Sequence, residues 1–219
     1  MNDFKRTVFC GQVNESFLNK EVCLAGWVNR RRDLGGLIFI DLRDRSGIMQ
    51  LVFDPTNQPE LTEKAHKLRS EFVIGVKGTV IRRQGAINTK ISTGQFELKV
   101  SDIKIFNESE TLPFQLEGDC TASEELRLKY RYLDIRRKQM HDIIKLRHDV
   151  LHTIRNFFDK NGFYEVETPI LSKSTPEGAR DFLVPCRIQQ GTFYALPQSP
   201  QLYKQLLIAG GIERYFQIA

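Results

Sequence analysis

The stretch GWVNRRRDLGGLIFIDLRDRSG, Gly26–Gly47, decides the fold of the first half of this chain. Gly35-Gly36 supplies a turn, because glycine reaches positive φ at no steric cost. Leu37–Arg43 then alternates in character. Successive side chains of a strand point to opposite faces, so Ile38, Ile40 and Leu42 share one face and Leu37, Phe39, Asp41 and Arg43 the other. The first face is aliphatic and suits a core. The second sets one aromatic ring among charges, with Arg30, Arg31 and Arg32 just before the turn. Ser46-Gly47 turns the chain again, into a strand over Ile48–Phe53.

The same reading extends outward. Val22, Leu24 and Val28 alternate with smaller or polar residues and give a strand before the arginines. Asp54-Pro55 ends the third strand, and Glu60–Leu68 has a short helical pattern. Phe72–Ile81 is a long strand whose Gly75 and Gly78 imply strong bending, as at a barrel corner. Phe96, Leu98 and Val100 alternate with Glu97 and Lys99, giving a fifth strand with Glu97 facing outward. Five strands with a helix before the fourth is the pattern of an OB-fold, a frequent binder of single-stranded nucleic acid. On such a barrel Phe39 has two readings. It stacks an unpaired base while arginines hold phosphates and base edges, or it packs under a loop beside a solvated arginine run.

Composition sets limits on the rest. The chain has 219 residues, 41% apolar and 27% charged, with net charge +5, as a soluble protein with room for two small domains or one large one. The positive balance favours a polyanionic partner. Cys10, Cys23, Cys120 and Cys186 are widely spaced, which argues against zinc and against a disulfide framework. The start lacks a secretory pattern, and apolar runs fall short of the ~18 residues of a membrane helix. A cytoplasmic location and no membrane partner are therefore expected.

Residues 107–126 cluster Asn, Glu, Ser, Pro, Gly and Asp, so a linker falls there. ELRLKYRYLDIRR, Glu125–Arg137, follows as a charged hinge helix, touching either an RNA backbone or solvent alone. The expected division is a barrel over 1–107, a hinge over 108–140 and a second domain over 141–219. His141–Asn161 is amphipathic, and Asn161-Gly162 stops it. Phe163–Thr168 is a strand closed by Pro169.

Three further strings carry chemistry: EVETPIL (Glu165–Leu171), TPEGARDFLVP (Thr175–Pro185) and ALPQSPQLYKQ (Ala195–Gln205). Glu177 lies in a Pro-Gly-flanked loop, where a carboxylate can pair with a substrate ammonium. Ser199 reads as the N-cap and Pro200 as the first residue of a new helix. Gln201 and Lys204 are three apart and share a face, near a helix N-terminus that favours an anion.

These strings, with GWVNRRRDLGGLIFIDLRDRSG, resemble the bacterial aspartyl-tRNA synthetases, which are class II ligases. The resemblance implies an α+β multidomain chain: an OB-fold anticodon-binding barrel, then the first part of the antiparallel-sheet catalytic domain. It implies anticodon contacts at Arg32, Phe39, Gln50, Arg82 and Glu97, with Phe39 stacking on the central base. It implies aspartate contacts at Glu177, Ser199, Gln201 and Lys204. The helix ending at Asn161 and Pro169 match motif 1, the family's homodimer element; an ordinary core helix is the alternative. The string RQGAI, Arg83–Ile87, departs from the family and bears on discrimination between tRNA-Asp and tRNA-Asn.

The implied activity is aspartate–tRNA ligase. ATP and L-aspartate give aspartyl-adenylate and pyrophosphate with Mg2+ assisting, and the aspartyl group then moves to tRNA-Asp. The resemblance puts motifs 2 and 3, with their ATP arginines and metal carboxylates, beyond Ala219, so a catalytically incomplete amino-terminal piece is expected. A non-catalytic tRNA-binding module is the alternative, and a ligase for asparagine or lysine a third.

Overall fold

The structure is a computed structural model and describes residues 3–174 and 180–218. The chain divides into two units, Met1–Pro113 and Phe114–Ala219.

In the first unit, β1 (Glu21–Leu34), β2 (Leu37–Asp44), β3 (Gly47–Phe53), β4 (Val73–Arg82) and β5 (Phe96–Asn107) close into a barrel in the order β1-β2-β3-β5-β4. Helix α1 (Pro59–Lys67) precedes β4. This is the expected OB-fold. The alternation of β2 holds along its whole length: Ile38, Ile40 and Leu42 are wholly buried, and Leu37, Phe39, Asp41 and Arg43 are partly exposed. Gly35 and Gly36 turn the chain with φ of 58° and 87°, the positive values a tight hairpin needs. The core joins β1 through Val22, Leu24 and Val28 to Leu51, Phe53, Ile74, Val76 and Leu98.

Gly78 is required by close approach. A Cβ there would lie 2.3 Å from the Lys99 carbonyl oxygen, and the β4–β5 register shifts between Lys77 and Gly78. That bulge also explains why β5 runs past its expected end at Val100. Ser101 and Asp102 are both exposed, so the alternation breaks and resumes with Ile103 buried. The barrel closes where β3 meets β5 in parallel over Leu51↔Leu98 and Val52↔Lys99.

The segment before β1 is tied down by backbone groups. The Thr7 N–H donates to the Cys23 carbonyl at 2.9 Å, and the Cys23 N–H to Thr7 Oγ1 at 2.9 Å. The Cys10 N–H donates to Asp44 Oδ2 at 2.7 Å. Burial, helped by the Asp44 charge, pushes the Cys10 thiol well above the usual range.

The second unit holds α2 (Glu124–Lys129), α3 (Arg131–Arg136), α4 (Lys138–Lys160), β6 (Tyr164–Glu165), β7 (Phe182–Pro185), β8 (Phe193–Leu196), α5 (Gln201–Ala209) and β9 (Tyr215–Phe216). Ser123 Oγ accepts from the Leu126 N–H and caps α2. The single hinge helix expected over Glu125–Arg137 is two helices, because Tyr130 leaves helical geometry at φ −107°, ψ 47°. Asp134 is fully buried; it accepts from Arg131 at 2.6 Å and Arg137 at 3.1 Å, with Arg127 at 3.8 Å.

Helix α4 stops at Asn161-Gly162, as its sequence requires. Gly162 has φ 74°. The Phe163 N–H reaches the Phe158 carbonyl at 3.0 Å and the Gly162 N–H that of Asp159 at 3.0 Å, the paired bonds of a Schellman end. The strand expected over Phe163–Thr168 is shorter. β6 pairs in parallel with β9 over two residues, and Pro169 is exposed in irregular chain beyond it. β7 and β8 form the antiparallel pair.

Candidate nucleic-acid interface and amino-acid site

On the barrel's outer face, register brings the sequence-predicted residues together. Arg32 pairs with Phe39 across β1–β2, Phe39 with Val52 and Asp41 with Gln50 across β2–β3. Gln50 is the hub. Its Oε1 accepts from Arg32 Nη2 at 3.1 Å and also from Arg83 Nη2. Its Nε2 donates to Glu97 Oε2 at 2.8 Å. Arg32 Nη2 also donates to Asp41 Oδ1 at 2.8 Å. A half-buried phenylalanine thus lies in register with a fixed array of donors and acceptors. That combination can stack a base and meet its edge. Arg32 Nε and Arg83 Nη1 are buried without a partner.

Three of the sequence-predicted residues are held in ways the strand pattern alone does not specify. Glu97 is on the outer face of β5, but it is 3% exposed, because its carboxylate takes the Gln50 amide and is covered. Arg82 does not join the array. It pairs with Glu15 at 2.6 Å, both side chains more than half exposed, and lies 5.9 Å from the Phe96 ring. Arg83 takes the place at Gln50. Counting by two from the buried Val76 and Val80 puts Ile81 and Arg83 on the outer face and Arg82 on the other, a signal legible in the sequence. Finally, Arg43 is engaged within the barrel: its Nη2 donates to both Glu71 carboxylate oxygens at 2.7 and 2.9 Å, and its Nη1 to Asn29 Oδ1. Arg31 is likewise engaged, with the His66 and Leu68 carbonyls.

In the second unit, α5 begins one residue later than expected. Pro200 is the N-cap, at ψ 45°, and Ser199 makes no capping bond. The Pro200 carbonyl accepts the first helical bond, from the Lys204 N–H at 2.9 Å. The Ser199 hydroxyl instead lies 3.5 Å from Lys204 Nζ. Ser199 and Lys204 are half-buried and Gln201 is exposed at the same helix start. Glu177 lies outside the described residues. Among the described residues no group of three or more His, Cys, Asp or Glu could hold a metal ion. No helix among the described residues is long and apolar enough to cross a membrane.

Comparison with known proteins agrees with both halves. Residues 22–106 match the family described as OB-fold nucleic acid binding domain. Residues 123–219 match the family described as tRNA synthetases class II (D, K and N). Its second half is thus similar to the class II aminoacyl-tRNA synthetases. Over nearly its whole length the chain is similar to part of the bacterial aspartate–tRNA ligases. It is 56% identical over 97% of its length to the aspartate--tRNA ligase of Macrococcus caseolyticus. It is 57% identical over 100% of its length to the aspartate--tRNA(Asp/Asn) ligase of Halothermothrix orenii. The chain spans 36% and 37% of the length of these relatives. The crystal structure of asparaginyl-tRNA synthetase from Pyrococcus horikoshii with asparaginyl-adenylate superposes with a TM-score of 0.83 at 30% identity, covering 98% of this chain and 47% of that one.

Proposed function

We propose that this chain supplies the anticodon-reading barrel and part of the aspartate site of an aspartate–tRNA ligase. In that reaction aspartate attacks the α-phosphate of ATP, giving aspartyl-adenylate and pyrophosphate. A terminal ribose hydroxyl of tRNA-Asp then takes the aspartyl group as an ester, and AMP leaves. The observation that carries the reading is the Phe39 ring in register with Arg32, beside the Asp41–Arg32–Gln50–Glu97 array. Phe39 supplies the stack, and Arg32, Gln50 and Glu97 meet base edges. Arg83 is added to this set, and Arg82 serves at the rim as a surface cation.

At α5, Lys204 meets the side-chain carboxylate of aspartate, helped by the helix N-terminus. Ser199 and Gln201 orient the substrate, and Glu177 pairs with its ammonium. An asparagine side chain would leave the Lys204 ammonium unpaired, a costly mismatch in a polar site. ATP is the second substrate, and Mg2+ would assist by neutralising its phosphates. The working form is a cytoplasmic homodimer formed through α4 and the chain around Pro169. The exposed Ile143, Leu146, Val150 and Phe157 of α4 support that pairing. Sedimentation should show a dimer that Leu146→Asp converts to monomers, and a wild-type monomer at micromolar concentration would refute it.

The direct test is binding of anticodon-arm hairpins. Phe39→Ala should weaken binding of the tRNA-Asp hairpin by about 1–3 kcal/mol, the usual worth of one base stack. Hairpins with exchanged anticodon bases, including that of tRNA-Asn, should bind more weakly to the wild type. Equal affinity for all of them, unmoved by Phe39→Ala, would sink the reading. The self-contained barrel core favours a second reading, a tRNA-binding module without catalysis. Aspartate-dependent exchange of labelled pyrophosphate into ATP separates the two.

A further inference from the structure

The outer face of β4 and β5 bears a row of cations that base reading does not use. Lys99 lies two residues beyond Glu97 on β5, both off the core face. Lys77 is in register with Asp102, and Lys104 with Gly75. The tied-down segment before β1 adds Lys5 and Arg6. Arg6 Nη2 donates to the Ala25 carbonyl at 2.7 Å, which fixes the segment against β1. Over Asp3–Phe9, Val73–Thr79 and Lys99–Phe106 the acids are Asp3 and Asp102, and Asp102 already accepts from the Ile103 N–H at 2.8 Å.

Aromatic rings underlie this charge. Phe4 and Phe106 meet edge to face at 6.5 Å over Gly75, where a Cβ would come within 2.8 Å of the Phe106 ring. Lys77 Nζ lies 4.8 Å from the Phe4 centroid and Lys104 Nζ 6.0 Å from that of Phe106. Phe106 remains 47% exposed. Rings beneath the Lys77 and Lys104 ammonium groups hold these two cations outward, while the Thr56 backbone N–H, with help from nearby Lys99, holds the Asp54 carboxyl below its usual value.

We propose that this face is a track for RNA backbone: it grips phosphates of the stem whose loop is read at Phe39, without reading sequence. The inference rests on the base-stacking reading above. It is favoured by charge complementarity and by continuity, since the row leads off along β5 from Glu97. Lysine is a point charge suited to phosphate rather than to base edges. Such contacts position a nucleic acid and carry no sequence information.

The test uses the 219-residue chain with Lys77, Lys99 and Lys104 all changed to Gln. The probes are the tRNA-Asp anticodon-arm hairpin, base-exchanged hairpins, and a loop-only oligonucleotide lacking the stem. Affinity is measured over a range of salt. The triple variant should bind every hairpin about tenfold or more weakly, and its salt slope should fall by ~0.9 for each phosphate no longer neutralised. Its discrimination among anticodons and its affinity for the loop-only probe should stay as in the wild type. The corresponding triple Lys→Arg variant should keep the slope. Phe39→Ala should do the reverse, losing discrimination at constant slope, so failure of base reading is seen separately. An unchanged slope in the triple Gln variant would overturn the proposal. So would a reduced slope in the Arg variant, or a concentration-dependent self-association that the Gln variant abolishes, which would assign the face to a second copy of the chain.

Discussion

The barrel and the second unit solve the burial problem in opposite ways. In the barrel, five strands close on one another and bury Leu24, Ile38, Ile40, Leu51, Phe53 and Leu98 completely. In the second unit, the described strands are two to four residues long and form two separate two-stranded pairs. The 23-residue helix α4 buries none of its residues, and α5 none either. Ile143, Leu146, Phe157, Phe182, Ile188 and Leu206 are all more than half exposed. A closed sheet satisfies its own edges and fills its own interior. A layer of helices and short strands needs a further surface to cover it, so its local structure says less about stability.

The largest test of this contrast is a matched pair of truncations. Phe53→Ala should cost about 3–5 kcal/mol of unfolding free energy, as full core phenylalanines do. Phe182→Ala, 79% exposed in this chain, should change it by about 0.5 kcal/mol or less. Equal losses in urea denaturation would break the contrast. The two regions should behave alike at one kind of site. Glu71→Ala in the barrel and Asp134→Ala in the second unit each remove a buried carboxylate from its arginines, and each should cost about 3 kcal/mol. A much smaller loss at Asp134 would mean that the helical elbow is already loose.

Within the barrel, Arg83→Ala should weaken hairpin binding by about 1.5–3 kcal/mol, the worth of a charged hydrogen bond. Arg82→Ala, which removes an exposed pair, should cost at most ~1 kcal/mol. The reverse order would restore Arg82 to the base site. The smallest test compares thiols. Burial pushes Cys10 up, whereas the Gln189 and Ile188 backbone N–H groups hold Cys186 below its usual value. Alkylation at mildly alkaline pH should therefore modify Cys186 more than about tenfold faster, as mass spectrometry of the native protein would show.

The barrel was legible because its signals repeat at short range. The period-two pattern of β2 and its glycine turns specify both faces, and the register then follows. What escaped was cooperative. Glu97 has the right parity for an outward residue, yet its burial depends on Gln50 from another strand. Arg83 was within reach, since counting by two from Val76 and Val80 places it on the outer face just past the end of β4 at Arg82. In the second unit, the stop at Gly162 was readable because it is local, and the split at Tyr130 was not, since its sequence remains helical in composition. Ser199 missed the cap by one residue. A proline at the following position suits either the N-cap or the first turn, and sequence alone does not choose.

The parallel meeting of β3 and β5 has a mechanical consequence. It spans two residue pairs, whereas β4–β5 runs from Val73↔Asn107 to Arg82↔Phe96. It is the line along which the cylinder should unzip first. The Gln50–Glu97 hydrogen bond crosses that same line, from β3 to β5. An RNA that engages this pair would therefore act as a stitch across the opening, and binding free energy would appear as resistance to local unfolding. Hydrogen exchange should report it. With saturating hairpin, amides at Gln50–Phe53 and Glu97–Lys99 should slow more than those deep in β1, and the protein would register its ligand as a stiffening of its own wall.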